Sequence, residues 1–313
     1  MTSLFPRRAL VGIAAVAALL AGCSNADPMA DPTAADTAGG ETSSSTVRVG
    51  SAGFPEAEII AELYAQALEA DGVTVERNMQ IGSRETYIKA LEDGSVDLLP
   101  EYTGNLLQFY DAEATAQTAY EVLSALREKA PEDVRVLEPS SAENKDSYVV
   151  TSEFSTANGI TSLADLADFE GTLRLAANPE LPNRRYGPMG LTEIYGVAAE
   201  SIEFTPIDDG GGPLTVQALT DGDVDMVDLY STTPAITEMD LVVLEDPENM
   251  IVTQQVFPLV SDRVSEDLDE KLNAVSEALT TEDLIAMNAR NQGDEKASPS
   301  TIAADWLKEK GLL

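Results

Sequence analysis

Histidine is missing from this chain altogether, cysteine and tryptophan occur once each, and aromatic residues make up only 5% of it. With no imidazole and a lone thiol at Cys23, neither a Ser-His-Asp nor a Cys-His centre can be built, and a histidine-based zinc site is ruled out as well. No nucleophile elbow, P-loop or cofactor motif is present, so no cofactor and no metal are expected. Carboxylate or lysine catalysis stays open, but the chain reads as a non-enzyme. Positive charge is scarce too: 19 Lys and Arg stand against 55 Asp and Glu, a formal net charge of −36. That sign repels a phosphate backbone and excludes nucleic acid as a partner. It fits solubility in a salty exterior, where screening is strong, at least as well as attraction of cations.

Long apolar runs are lacking except at residues 9–20, which follow Arg7 and Arg8. This run is too short to cross a hydrocarbon core of about 30 Å and has the layout of a cleaved secretory signal. Leu20-Ala21-Gly22-Cys23 resembles the lipobox of bacterial lipoprotein precursors. The expectation is a signal peptide over 1–22, lipidation at Cys23 and anchoring to the extracytoplasmic face of the cell membrane. Residues 23–46 are rich in Ser, Thr, Ala, Asp and Gly, lack aromatics and periodicity, and read as a disordered tether.

The most informative feature is a repeat. Residues 88–102, IKALEDGSVDLLPEY, return as VQALTDGDVDMVDLY at 216–230, with 7 identities in 15 ungapped positions. Each copy predicts a helix that stops at an Asp-Gly turn, then a strand whose carboxyl end carries a tyrosine, Tyr102 or Tyr230. Gly82-Ser83-Arg84 and Gly210-Gly211-Gly212 open the two helices in matching register, and strand VRVGS at 47 lies opposite LRLAA at 173. The implied fold is α/β: two similar lobes, with a ligand gripped between strand ends. Asp97 and Asp225, at matched places in the repeat, are expected to be structural.

Along the chain, strands are expected at 47–49, 73–77, 96–99, 134–137 and 148–151, then at 173–176 and 241–244, with a returning strand at 250–253. Helical spacing marks 56–70, 116–130, 163–169, 190–195, 266–279 and 281–291. A chain that crosses to a second lobe and comes back has two hinge strands, near 146–150 and 248–255. That divides it into lobe 1, residues 47–147 plus 252–313, and lobe 2, residues 148–251, able to close as rigid bodies.

Gly50-Ser51-x-x-Phe54-x-Glu56, Gly82-Ser83-Arg84-Glu85, Pro100-Glu101-Tyr102-Thr103-Gly104, Glu143-Asn144-Lys145-Asp146, Gly210-Gly211-Gly212-Pro213-Leu214-Thr215 and Tyr230-Ser231-Thr232 are similar to motifs of the solute-binding lipoproteins of osmoprotectant ABC importers. The resemblance covers nearly all of the chain from Val47 onward. It implies a type II periplasmic-binding-protein fold, no catalysis, a quaternary-amine ligand such as glycine betaine, choline or carnitine, and delivery to an ABC permease with its ATPase. It also implies a box of tyrosines around the trimethylammonium group. By motif these are Tyr102, Tyr148 beside Asp146, and Tyr230, with Arg184 holding a ligand carboxylate. The sequence departs from the family at Ala52 and Ala57, at Asn105, and at Gln254 where a fourth tyrosine is usual, which leaves three walls.

A quaternary ammonium has no proton to donate, so it is held by field and shape, and aromatic faces supply roughly 0.5–2 kcal/mol each when desolvated. The helix N-termini opened by Gly82 and Ser83 and around Gly211 are candidates to receive a carboxylate, as is Arg84. Tyr64, Tyr87, Tyr120 and Tyr195, on helical stripes, are expected to pack in the core. Another zwitterion, such as ergothioneine or an amino acid, stays open as the ligand.

Overall fold

The computed structural model describes residues 46–313; the signal, Cys23 and nearly all of the tether lie outside them. The first lobe runs β1 (Val47–Gly50), α1 (Pro55–Ala70), β2 (Val75–Asn78), α2 (Arg84–Glu92), β3 (Leu98–Tyr102), α3 (Thr103–Tyr110), α4 (Ala119–Lys129) and β4 (Val134–Val136). The chain then crosses into β5 (Asp146–Thr151), α5 (Ser152–Asn158), β6 (Leu173–Ala177), α6 (Pro188–Glu193), β7 (Ile202–Pro206), α7 (Pro213–Thr220), β8 (Met226–Tyr230), α8 (Ala235–Glu238) and β9 (Leu241–Val243). It returns through β10 (Val256–Ser261) and ends in α9 (Asp269–Ala278), α10 (Thr281–Gln292) and α11 (Pro299–Lys310).

Two mixed five-stranded sheets result, ordered β2-β1-β3-β10-β4 and β7-β6-β8-β5-β9. The orders correspond strand for strand. In each, three parallel strands are followed by one antiparallel strand that belongs to the far crossing of the chain, β10 in the first sheet and β5 in the second. The repeat is therefore a duplicated fold. Its acids hold equivalent places: Asp97 takes the backbone N–H and Nε of Arg48 at 3.0 and 2.8 Å, and Asp225 those of Arg174 at 3.0 and 2.9 Å. Each carboxylate ties the start of its strand to the neighbouring one.

Helix α1 starts with Pro55, whose missing N–H costs nothing at a helix start. It is apolar nearly all round, with Ile59, Ile60, Leu63, Tyr64 and Leu68 buried, because it is covered on one side by the sheet and on the other by α9, α10 and α11. The second lobe builds a separate core around Tyr148, Leu175, Leu191 and Met226.

The structure departs from the sequence expectation in the returning segment. Residues 250–253 form no strand; Met250 and Ile251 pack into the second core, and the strand begins at Val256. Helix α3 was not expected, because it begins directly at the end of β3 with no capping side chain. Gly104 makes that start possible: a Cβ there would lie 2.4 Å from Val252 Cγ2 and 2.5 Å from the Thr253 carbonyl oxygen.

Candidate functional site

Both tyrosines of the repeat end their strands at the same cleft. Tyr102 closes β3 and Tyr230 closes β8, at the carboxyl ends of parallel strands where α/β sheets present side chains to ligands. Phe54 lies between them, its ring centroid 6.1 Å from that of Tyr102 and 5.0 Å from that of Tyr230. Tyr186, on the segment after β6, and Tyr87, on α2, also line the cavity. Rings from opposing lobes thus surround one space.

Two of the rings are fixed by their polar ends. The Tyr102 hydroxyl donates to Glu56 Oε1 at 2.8 Å, and that of Tyr87 donates to Glu101 Oε1 at 2.7 Å. Burial pushes the phenols of Tyr102, Tyr186 and Tyr230 well above their usual range, so the walls are neutral and their faces carry the negative quadrupole. Glu56, 3% exposed, receives four side-chain donors: Tyr102 and Asn144 on Oε1, Thr232 and Asn288 on Oε2. Thr232 follows β8 in the second lobe, so this carboxylate joins the two halves beside the cleft.

The charges in the lining are unevenly free. Burial works against the Arg84 charge, but Glu101 more than restores it through Nε at 2.8 Å and Nη2 at 3.2 Å, and the guanidinium stays above its ordinary range. Arg184 reaches across the cleft to Glu85 at 2.7 Å. Partial burial works against the Glu85 charge, but Arg184, its own backbone N–H and Ser83 together pull the carboxyl down to about 2. Both arginines thus spend most of their charge on carboxylates of the first lobe. On the second lobe Asp146 accepts from Asn105 Nδ2 at 2.9 Å, and Asp228 accepts from the Ser147 N–H at 3.1 Å. Burial, and then the neighbouring Asp146, hold the Asp228 carboxyl well above the carboxylate range.

Of the residues singled out by sequence, Tyr102, Tyr230, Asp146, Arg184, Asn105, Gly82 and Ser83 all line the cleft. Tyr148 does not. It is buried in the second core with its hydroxyl donated to the Tyr186 carbonyl oxygen at 2.7 Å, so it positions a wall instead of forming one. Gln254 is likewise behind the lining: its Nε2 donates to Asn105 Oδ1 and its Oε1 accepts from the Asn105 N–H, orienting the amide that meets Asp146. Gly211 borders an adjoining pocket around Glu56 and Thr232. Most N–H groups of its loop are taken, since Asp209 accepts from those of Gly212, Leu214 and Thr215 and Asn178 from that of Gly210, which leaves the N–H of Gly211 itself without a hydrogen-bond partner among the described residues. Of the helical tyrosines, Tyr87 packs in a core as expected and also lines the cleft, whereas Tyr120 departs from expectation at 82% exposed.

Phe54, Tyr186 and Asp228 were not identified as site residues from sequence. Asp228 had a legible signal, because a strand's period of two puts it on the same face as Tyr230. Phe54 sat in a recognised motif and lacked only a partner. For Tyr186, in irregular structure, no periodicity was there to read.

Paired lobes that enclose an aromatic, acid-floored cleft define a solute-binding receptor. The family model described as the substrate binding domain of ABC-type glycine betaine transport systems matches residues 45–309, and the chain belongs to that family. It is therefore the extracytoplasmic binding component of an ABC importer and not an enzyme. Among curated relatives, the glycine betaine-binding protein YehZ of Escherichia coli is 28% identical over 281 residues, covering 85% of this chain and 91% of that protein. A glycine-betaine-binding protein of Pseudomonas aeruginosa is 28% identical over 292 residues, covering 88% and 91%. Among solved structures, a glycine betaine/carnitine/choline ABC transporter protein superposes with a TM-score of 0.67 at 22% identity, covering 85% of this chain and 99% of that one. Unliganded YehZ of E. coli gives 0.61 at 25%, covering 86% and 100%.

Proposed function

We propose that this receptor captures a quaternary-amine osmoprotectant of the glycine betaine, choline or carnitine type and hands it to its ABC permease, driven by the cytoplasmic ATPase. The observation that carries the reading is the convergence of Phe54 and Tyr102 from one lobe with Tyr186 and Tyr230 from the other, beside Asp146 and Asp228. Aromatic faces and carboxyl groups suit a cation that has no hydrogen to donate. Residues on both sides of the cleft make contact only when the lobes are together, so the ligand favours the closed form. Cys23 is the proposed lipid attachment, with residues 23–46 as the tether to the membrane surface.

A thermal-shift panel of glycine betaine, choline, carnitine, ergothioneine and free amino acids tests the ligand class. At 100 times its dissociation constant a bound ligand adds about 2.7 kcal/mol of stability. Stabilisation by the quaternary amines, lost in Tyr102→Ala and Tyr230→Ala, is the expected result. Stabilisation by amino acids alone would overturn it. For the anchor, Cys23→Ser is expected to move the protein from the membrane fraction to the medium or periplasm.

A further inference from the structure

Asp146 and Asp228 are the unusual part of the cleft, and the role inferred for them rests on the proposed capture of a quaternary amine. They stand on the adjacent antiparallel strands β5 and β8, where Asp146 is opposite Tyr230 and Tyr148 opposite Asp228. That register makes the two carboxyls diagonal neighbours on one face. They are only 7% and 6% exposed, and both line the cavity. Among the described residues, no lysine or arginine nitrogen lies within 4.0 Å of either; Lys145, next in sequence, is turned to Glu143 at 3.6 Å. Two carboxyls buried side by side with no cation between them repel when both are ionised, and a proton on one, donated to the other, relieves that repulsion.

The duplicated lobe provides an internal control. In the first sheet Tyr102 is opposite Val256 and Pro100 is opposite Pro258. The places of Asp146 and Asp228 are thus filled there by Val256 and Pro100, on the same strand arrangement. The fold does not need acid at either place, and burying two carboxyls side by side is costly. A cation delivered to the cleft would offset that cost.

We propose that Asp228 carries a proton in the empty cleft, donated to Asp146, and that an arriving quaternary ammonium group takes the place of that proton, so that ligand is bound in exchange for one proton released to solvent. The groups facing the pair are Arg84 from α2, then Glu180, Arg184 and Tyr186 from the segment after β6, with Tyr148 and Tyr230 on their own sheet. The arginines keep their charge against Glu101 and Glu85, and the buried phenols keep their protons. Among these groups the carboxyls are left to trade a proton. Because the free cleft binds more protons than the occupied one, affinity rises with pH.

The test is titration calorimetry of the intact protein with choline, in buffers of differing ionisation enthalpy, between about pH 5 and 8. Release approaching one proton per choline is expected, with the dissociation constant tightening by up to about tenfold per pH unit in the steepest part. The neutral analogue of choline, with carbon in place of the ammonium nitrogen, is expected to bind without release. Asp228→Asn is expected to bind choline more weakly, with no release and a flat pH profile, whereas Glu180→Gln still releases the proton. Choline binding in the wild type without proton release, or unchanged release in Asp228→Asn, would overturn the exchange while leaving the receptor reading intact. Absence of binding by choline, glycine betaine and carnitine at every pH would overturn both.

Discussion

Glu56→Gln is a change of one atom type at the best-connected side chain near the cleft, and its cost can be worked from the contacts. Oε1 accepts from the Tyr102 hydroxyl at 2.8 Å and Asn144 Nδ2 at 2.6 Å; Oε2 accepts from Thr232 Oγ1 at 2.5 Å and Asn288 Nδ2 at 2.6 Å. A glutamine keeps the first two bonds but makes them neutral, losing roughly 0.5–1 kcal/mol each. On the other side an amide now faces the Asn288 amide, and a buried donor without an acceptor costs about 1–3 kcal/mol. Thr232 can rotate to accept, which recovers part. The expected loss is about 3 kcal/mol in urea unfolding of the unliganded protein. Thr232→Val removes the bond from the second lobe while keeping the shape, and its expected cost is about 1.5–3 kcal/mol. Because the two residues touch, the double variant is expected to fall short of additivity by about 1 kcal/mol or more. The same pair bridges the lobes, so each single change is also expected to weaken ligand binding. Additive losses within about 0.5 kcal/mol, or a Glu56→Gln protein as stable as wild type, would refute the claim that this carboxylate ties the halves together.

Tyr102→Phe keeps the ring and loses only its bond to Glu56, so a fall of about 1–3 kcal/mol in stability with a small change in affinity is expected, whereas Tyr102→Ala removes a wall and weakens binding by roughly 2- to 30-fold in equilibrium titration. Tyr148→Phe is expected to lower stability by a similar amount through the lost bond to the Tyr186 carbonyl, and a large change in affinity with unchanged stability would place Tyr148 in the lining after all. Gly104→Ala drives a methyl group against Val252 and the Thr253 carbonyl; overpacking of this kind costs about 1–3 kcal/mol or more, read as a lower unfolding midpoint. The pH dependence of the unliganded protein carries a contribution from Asp228. Its folded carboxyl binds a proton more tightly than the unfolded one, so its contribution is fully present below about pH 4 and is lost as pH rises through the elevated folded value. Wild type is therefore expected to lose stability relative to Asp228→Asn as pH climbs, and a constant difference between the two curves would contradict this.

Sequence reveals what repeats along a line. The duplication, the strand-end tyrosines and the paired acids Asp97 and Asp225 recur at fixed spacing, so they were legible before any fold was known. Ring contacts are different in kind. Phe54 meets Tyr230 where Gly210, at φ +67°, brings the backbone of the second lobe so close that a Cβ there would lie 2.7 Å from Phe54 Cβ. Residues so far apart in sequence carry no local sign of such an approach. The same holds for Glu56, whose four partners come from four separate segments, and for Tyr148, where the motif located the residue correctly but not the direction of its side chain.

That distinction bears on how one duplicated scaffold makes an asymmetric site. The strands of the two sheets correspond, yet the four places around the paired tyrosines differ: Val256 and Pro100 in one lobe, Asp146 and Asp228 in the other. Apolar residues at the first pair let α1 and its companions pack a large core behind Tyr102. Acids at the second pair leave a polar floor that no protein cation neutralises. Each lobe alone presents half of what a methylated cation requires: rings without a countercharge on one side, and a countercharge with too few rings on the other. Only when Phe54 and Tyr102 are brought against Tyr230 and Tyr186 does the floor gain a roof, and the aromatic faces gain the field that makes them selective for charge over mere bulk. With the proposed quaternary amine as ligand, selectivity for a cation over its neutral isostere is expected to be a property of closure and not of either lobe, and a variant that keeps both lobes folded but loosens the Glu56–Thr232 bridge is expected to lose discrimination between choline and its carbon analogue along with affinity.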